Sequence, residues 1–489
     1  MQLHTAGHRQ GVVAAPHHAA VEAGRATLAA GGNALEAMVA MAATIAAVYP
    51  HMTQIGGDGF WLVHEPSGRV RALMAPGRAG ANARPELYRE YETIPPRGAL
   101  AALTVPGAIS GWMLALEAAH AQGARLPLPD LLGPAIRHAK DGYTVTRSQA
   151  RLTAEKLAEL KDVPGFAQTF LVDGRPPDAG TTLKQPALAA TLDHLAHAGL
   201  DDYYRGDVAR EIAGDLDRVG SPVTRGDLER CRASLAEPLS IALEAGTVFN
   251  TPPPTQGLAS LIILALFDRL RVPDSEGFDH VHGLIEATKR AFAVRDRAVT
   301  DPDRIKQPVD RYLDGRFLDG EALKIDRRKA AHWPAPYGEG DTVWMGAADA
   351  SGLVVSYIQS LYWEFGSGIV TARDRRTHAK SRRQFFARTG RAECARARPV
   401  AVPYAQSGAH GARGRPHPCL RRHGRRWPAA NAGRAVHPAR AIPRPARARD
   451  RCPALAPGPD LGLDPYQSAH GIALRRSPRR APAIGGSRR

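Results

Sequence analysis

Two periodicities divide the chain into its elements. Apolar positions recur at helical spacing through 18–31 (HAAVEAGRATLAAG), and the run stops at Gly31-Gly32, a C-terminal signal. Asn33 stands three residues before Glu36, a capping-box arrangement, and opens an Ala-, Met- and Ile-rich helix to about Val48. A helix with so little polar face predicts burial between layers. Strand-like runs follow at Phe60–His64 and Arg69–Leu73 around Pro66-Ser-Gly68, a hairpin signal. Amphipathic spacing predicts helices over 107–120, 131–140, 186–197 and 208–219. A strand over 246–250 leads through Thr251-Pro-Pro-Pro-Thr-Gln-Gly257 into an apolar helix over 258–270, and another helix covers 280–296. The last patterned segment, 342–361, reads as two strands around a turn at Asp349-Ala-Ser-Gly352. Helices in bulk before a central strand pair predict α/β layers rather than a barrel.

Beyond Thr371 the periodicity fails, and composition changes with it. The 489 residues carry a net charge of +17, which alone would point to a nucleic-acid or membrane partner. The segment 372–489 holds 27 Arg and 1 Lys against 5 acids, a net +23, so the segment 1–371 carries −6. The body is therefore mildly acidic and the excess charge belongs to the tail. Cys231 is the body's single cysteine, with Cys394, Cys419 and Cys452 in the tail, and no CxxC pair offers a zinc site. No basic stretch followed by an apolar run opens the chain, and the most apolar segment, 34–49, is too short to span a bilayer. A cytoplasmic enzyme without metal or cofactor is expected. Gly56-Gly57-Asp58-Gly59 lacks the Lys-Ser/Thr of a phosphate loop and reads as a tight turn before a strand. His17-His18 reads as a pair at a helix start rather than as metal ligands.

Six segments in order carry a resemblance. EAGRATLAAGGNALEAMVA (22–40), QIGGDGFWLV (54–63), VPGAISGWMLALE (105–117), AKDGYTV (139–145), FNTPPPTQGLASL (249–261) and GDTVWMGAADASGLVVSYIQS (340–360), the last followed by FGSGIV (365–370), resemble the gamma-glutamyltransferase family of N-terminal-nucleophile hydrolases. The resemblance implies an α+β fold, a four-layer αββα sandwich, made as a precursor that cuts its own chain into large and small subunits. It implies cleavage between Asp341 and Thr342, with residues 1–341 as the large-subunit region and 342–371 as the start of the small subunit. Thr342 matches the family's nucleophile. The freed α-amino group of that residue, with a reference pKa of about 7.7–8.0, suits the base its hydroxyl needs. Ser360 falls where the family has a second threonine that polarises the nucleophile. The implied activity is hydrolysis or transfer of a gamma-glutamyl or related acyl group from a small amide such as glutathione, to water or an amine.

The sequence departs from the family at its substrate contacts. Tyr362, Trp363 and Glu364 stand where the transpeptidase has polar residues on the donor, leaving Tyr362 and Glu364 as substrate-binding candidates. Pro76 takes the place of the arginine that grips the donor carboxylate, and Arg78, two residues on, is the alternative clamp. These changes point toward amidase relatives such as oxamate amidohydrolase, whose substrate carries a carboxylate beside the bond cut.

After Val370 the family's Pro-Gly-Thr-Gly turn is missing. The tail fits a nucleic-acid-binding arm or GC-rich DNA translated out of frame. Back-translated and read one base later, 372–386 gives PGTGVLMQNRGASF and 422–438 gives DMGGDGQPQTQAALFT, both resembling the family's small subunit. Part of this is forced by the code: His423 before Gly424 permits only Met or Thr, and Trp427 before Pro428 only Gly. The frame break is the preferred reading, with 372–489 unstructured, nucleic acid not a partner, and the sandwich incomplete. The expected consequence is open edges beside strands 342–360 and an exposed core face, loss of the oxyanion-hole glycines, and an unprocessed, inactive chain.

Overall fold

The computed structural model describes residues 11–273, 277–333 and 342–373, and the backbone of two further short strands, 383–386 and 472–474. All described residues belong to one compact unit. Along the chain the strands are β1 (Gly11–Ala14), β2 (Asp58–His64), β3 (Val70–Ala75), the short pair β4 (Tyr143–Thr144) and β5 (Thr182–Leu183), β6 (Ser234–Ala236), β7 (Leu239–Leu243) and β8 (Gly246–Asn250). They continue with β9 (Val343–Asp349), β10 (Val354–Ser360), β11 (Val370–Arg373), β12 (Arg383–Phe386) and β13 (Ile472–Leu474). One sheet has six strands in the order β1-β9-β10-β2-β3-β6, and a second has three in the order β13-β8-β7. Helices α1 (His18–Ala29), α2 (Ala34–Val48), α3 (Ala108–Ala121) and α4 (Leu128–Asp141) lie on the outer side of the larger sheet. The helices 257–270 and 278–298 cover the smaller sheet. The result is the expected αββα layering.

Local chemistry explains the central helix. Asn33 caps α2 through its side-chain oxygen, which accepts from the backbone N–H of Leu35 and Glu36, both at 3.0 Å, while Glu36 accepts from the Asn33 N–H at 3.1 Å. Every residue of α2 is buried. Its two polar members are satisfied there: Thr44 donates to the Ala40 carbonyl, and Glu36 also accepts from Leu126 N–H. Gly31 takes φ 89°, the left-handed conformation that glycine allows and that ends α1. Gly352, φ 90°, does the same in the β9–β10 turn.

The hairpin is fastened to the rest of the body by polar contacts. Asp349 in its turn accepts from the Ala34 N–H at the start of α2 at 2.9 Å, where the helix dipole favours a negative charge. Beneath the sheet, the Gln359 side-chain oxygen accepts from Tyr357 Oη (2.7 Å) and Trp112 Nε1 (3.1 Å), and its amide donates to the Ala42 carbonyl. Trp61 stacks on Tyr357 at 3.8 Å. This buried knot joins α2, α3, β2 and β10.

Two expectations are corrected. Strands 342–360 do not have open edges, because β9 pairs with β1 and β10 with β2. Both partners lie between Gly11 and His64, and β1 (GVVA) is too short to show a periodicity from which a strand could be read. Among the described residues no helix is long and apolar enough to cross a membrane. The tail boundary after Thr371 falls inside β11, and the expectation of an unstructured tail is corrected at two short segments: β12 pairs with β11, and β13 pairs with β8. The three tail cysteines lie outside the described residues.

If Asp349 holds the hairpin to α2, Asp349→Ala should lower unfolding free energy by about 1–2 kcal/mol, as loss of a helix-terminal carboxylate acceptor does. Urea titration followed by far-UV circular dichroism measures it. An unchanged midpoint would show the contact to be energetically idle.

Candidate active site

The register of the larger sheet sets up the site. Val343 lies opposite Gln359, so Thr342, the next residue out, lies beside Ser360. Ser360 is opposite Asp58, and Gly59 is opposite Ala75, which places Pro76 beside Asp58. Thr342, Ser360, Asp58 and Pro76 thus form one row across four neighbouring strand ends. Alternation sends Val343, Met345, Tyr357 and Gln359 toward the helices, and Thr342, Ser360 and Asp58 toward the second sheet.

The two hydroxyls meet. Thr342 Oγ1 and Ser360 Oγ are 3.1 Å apart, and Ser360 Oγ also accepts from the Tyr362 backbone N–H at 2.9 Å. That N–H fills one lone pair of Ser360 and leaves its own proton able to point at Thr342. Asp58 is buried and accepts from the Gly77 N–H at 2.9 Å. The glycine run before it forms the expected turn: Gly57 donates to the Gln54 carbonyl, and a Cβ at Gly57 would run into the Ser360 carbonyl oxygen. Glycine is required here by close approach.

Beyond Ser360 the chain makes a bend that costs backbone energy. Tyr362 (φ 78°) and Phe365 (φ 59°) are both left-handed, a conformation that costs a side-chain-bearing residue roughly 1–2 kcal/mol. The bend is held from outside. Arg97, itself buried against it, donates through Nη1 to the carbonyls of Glu364 (2.7 Å) and Gly366 (2.6 Å) and through Nε to Glu159 (3.0 Å). Gly98 N–H donates to the Ser367 carbonyl, and Phe365 N–H to the carbonyl of His51. The Phe365 ring packs against Phe166 and Phe170. The Glu364 side chain is 6 % exposed, and no described group hydrogen-bonds to its Oε2. A buried carboxylate oxygen left in this way is costly unless a donor arrives.

The sequence candidates are therefore divided. Thr342, Ser360 and Tyr362 come together, and Glu364 lies in the same bend. Arg78 does not join them. It sits beyond Pro76, about 14 Å across three strand spacings, with 61 % of its side chain exposed, and pairs with Asp303 at 3.2 Å. It lines a cavity of about 1000 Å³ with Arg230, Lys306 and Pro252–Pro254. Asp341 lies outside the described residues. His17 is the N-cap of α1, its ring nitrogen accepting from Ala19 N–H, as a helix-start pair implies. Among the described residues no group of three or more His, Cys, Asp or Glu is arranged to hold a metal. Arg97 and Asp58 escaped the sequence reading, since nothing local signals their long-range contacts.

Comparisons with known proteins identify relatives in sequence and in fold. Residues 20–374 match the family model described as gamma-glutamyltranspeptidase. The oxamate amidohydrolase proenzyme of Klebsiella pneumoniae is 49% identical over 361 residues, spanning 74% of this chain and 68% of that protein. The glutathione hydrolase-like YwrD proenzyme of Bacillus subtilis is 36% identical, over 77% of this chain and 71% of its own. The crystal structure of cephalosporin acylase from Bacillus halodurans superposes with a TM-score of 0.69 at 29% identity, covering 79% of this chain and 75% of that one.

The bend rests on His51, whose pKa is pulled down to about 3, chiefly by burial and secondarily by the charge of Arg151 and by His17. The folded pKa is below the unfolded reference of about 6.5. Neutral His51 therefore contributes stability that is complete above pH 6.5 and is lost as pH falls toward 3. At pH 5 the loss should be roughly 2 kcal/mol. His51→Asn should flatten the fall in thermal midpoint between pH 7 and 5; an unaltered slope would remove His51 from the account.

Proposed function

Since the chain belongs to the gamma-glutamyltranspeptidase family, we propose that its body carries the chemistry of an amide hydrolase with an N-terminal threonine. Thr342 Oγ1 attacks the amide carbonyl after the α-amino group takes its proton. The C–N bond breaks as that proton passes to the departing amine, and water then releases the acid from the acyl-threonine. The observation that carries this reading is the 3.1 Å approach of Ser360 Oγ to Thr342 Oγ1. With Tyr362 N–H on its lone pair, Ser360 serves as donor to the developing alkoxide. Asp341–Thr342 is the bond to be cut, which divides the body into 1–341 and 342–371.

For substrate we propose a small amide whose acyl part bears a carboxylate next to the scissile bond. Pro76 in place of the family's arginine argues against gamma-glutamyl donors, and the 49% identity to an oxamate amidohydrolase supports the shorter acid amide. Exposed and held by Asp303, Arg78 is a cavity-rim residue rather than a clamp at Thr342. In this reading Glu364, buried in the bend four residues past Ser360, serves as the acceptor for the substrate's amide N–H. In its present form we infer that the chain stays uncut and inactive, because the strands and glycines expected from an in-frame continuation are replaced after Thr371.

Two genes test this: the present one, and one shortened by a single base near codon 371 or 372. The shortened gene should yield two pieces, the later beginning Thr-Val-Trp-Met by N-terminal sequencing, and should release ammonia from oxamate. Thr342→Ala should leave it uncut. Ser360→Ala should slow it roughly 10²-fold, as removal of one stabilising donor does, whereas Ser360→Thr should retain activity. The present gene should give one uncut chain. A clean cut before Thr342 in that chain would overturn the proposed inactivity, and full activity of Ser360→Ala would remove Ser360 from the mechanism.

A further inference from the structure

The cavity that Arg78 borders is set apart from the hydroxyl pair. Pro76, which lines it, stands three strand spacings, about 14 Å, from Thr342. The space of about 1000 Å³ is bounded by β3, β6 and the loops 252–254 and 302–308. Met74 and Val105, both buried, and Ile305 give it apolar walls. Prolines at Pro76, Pro252–Pro254, Pro302 and Pro308 add rings whose φ is fixed. Hydrogen bonds hold the rest: Val105 N–H donates to the Arg78 carbonyl and Asp227 accepts from Ala81 N–H, both at 2.9 Å. Asp303 ties the loop 302–308 to Arg78. A site formed in advance in this way loses little freedom when a ligand enters. Its volume stands at the upper end of the range of small-molecule pockets, about 300–1000 Å³, and exceeds what the small acid amide proposed above would fill.

We propose that this cavity is a binding site, separate from Thr342, for a carboxylate carried on an apolar body. Four cations line it, Arg78, Arg230, Arg232 and Lys306, against one acid, Asp227. Two of the four are already matched, Arg78 by Asp303 at 3.2 Å and Arg230 by Asp227 at 2.6 Å. Arg232 donates only to the carbonyls of Glu229 and Cys231, both at 2.8 Å, so its charge is uncompensated. Lys306 is exposed and has no hydrogen bond or ion pair with a described residue. Cys231, whose thiol burial pushes up to about 12, stays neutral and adds no opposing charge. Two unmatched cations beside apolar walls suit one carboxylate with a hydrophobic body. Inorganic phosphate would meet the cations and leave Met74, Val105 and Ile305 uncovered. Where the family has its clamping arginine, Pro76 offers only an apolar ring, so the charge of the ligand is met by Arg232 and Lys306 instead. The site stands whether or not Thr342 is the nucleophile.

The purified full chain is titrated calorimetrically with hydrocinnamate, with hydrocinnamyl alcohol, which lacks the charge, and with inorganic phosphate, which lacks the apolar body. Hydrocinnamate should bind one-to-one and roughly tenfold or more tightly than either control, as a charge-assisted contact on a filled apolar wall implies. Lys306→Glu should weaken it roughly tenfold and Lys306→Arg should keep it. Ser234→Trp, opposite Met74 on the cavity wall, should block the space and abolish binding. Circular dichroism should be unchanged in all three variants, and Thr342→Ala should leave the affinity as it was. Failure of the folded chain to bind hydrocinnamate, or binding of either control as tightly, overturns the proposal. So does binding indifferent to Lys306→Glu or to Ser234→Trp, since the ligand then lies elsewhere. Loss of binding in Thr342→Ala would put the ligand at the hydroxyl pair and overturn the separate site.

Discussion

Backbone pairing of the β9–β10 hairpin on both its edges is the constraint from which the site follows. Each ladder fixes register to a single residue, since a slip of one would turn every side chain to the other face. The ladder to β2 sets Ser360 beside Asp58, and the ladder within the hairpin sets Thr342 beside Ser360. The Gln359 knot locks the same register from below: its oxygen reaches Trp112 and Tyr357 only when Gln359 faces the helices, which forces Ser360 to face away. The hydroxyl pair is thus a by-product of core packing one residue earlier. Buried polar groups satisfied in this way specify an arrangement more than they stabilise it.

Energy is concentrated just past that pair. Two left-handed residues with side chains, a buried carboxylate oxygen with no described donor, and a cation spent on two carbonyls lie within a short stretch of chain. Such costs persist only where the surroundings over-determine them. Here the surroundings are Arg97, the His51 carbonyl and the Phe166–Phe170–Phe365 cluster, and all but Phe365 lie between His51 and Phe170. The bend is shaped by the early part of the chain, although it belongs to the late part.

Much of this fold was legible in the sequence, for reasons that can be stated residue by residue. The Asn33–Glu36 box, Gly31 and Gly352 act through local geometry, so their spacing sufficed. The all-buried α2 was legible because its composition leaves no polar face. What escaped depends on partners far along the chain. β1 is a strand only because β9, from the opposite end of the body, presents an edge to it. Arg97 looks like any surface arginine until the 364–366 carbonyls arrive. The expectation of open strand edges failed for the same reason, whereas the exposed face expected with them is present at Trp344 and Val12. Arg78 was chosen by nearness in sequence to Pro76, whereas strand spacing and Asp303 carry it away from Thr342.

The strand order has a topological corollary. In β1-β9-β10-β2, two strands from the end of the body are inserted between two from its beginning. Severing the chain before Thr342 would break its continuity without freeing either fragment, because each lateral ladder joins one to the other. The molecule would become a heterodimer whose interface is its own sheet. Its melting would then depend on concentration, and a heated sample would reassemble by a bimolecular encounter instead of folding back along one chain.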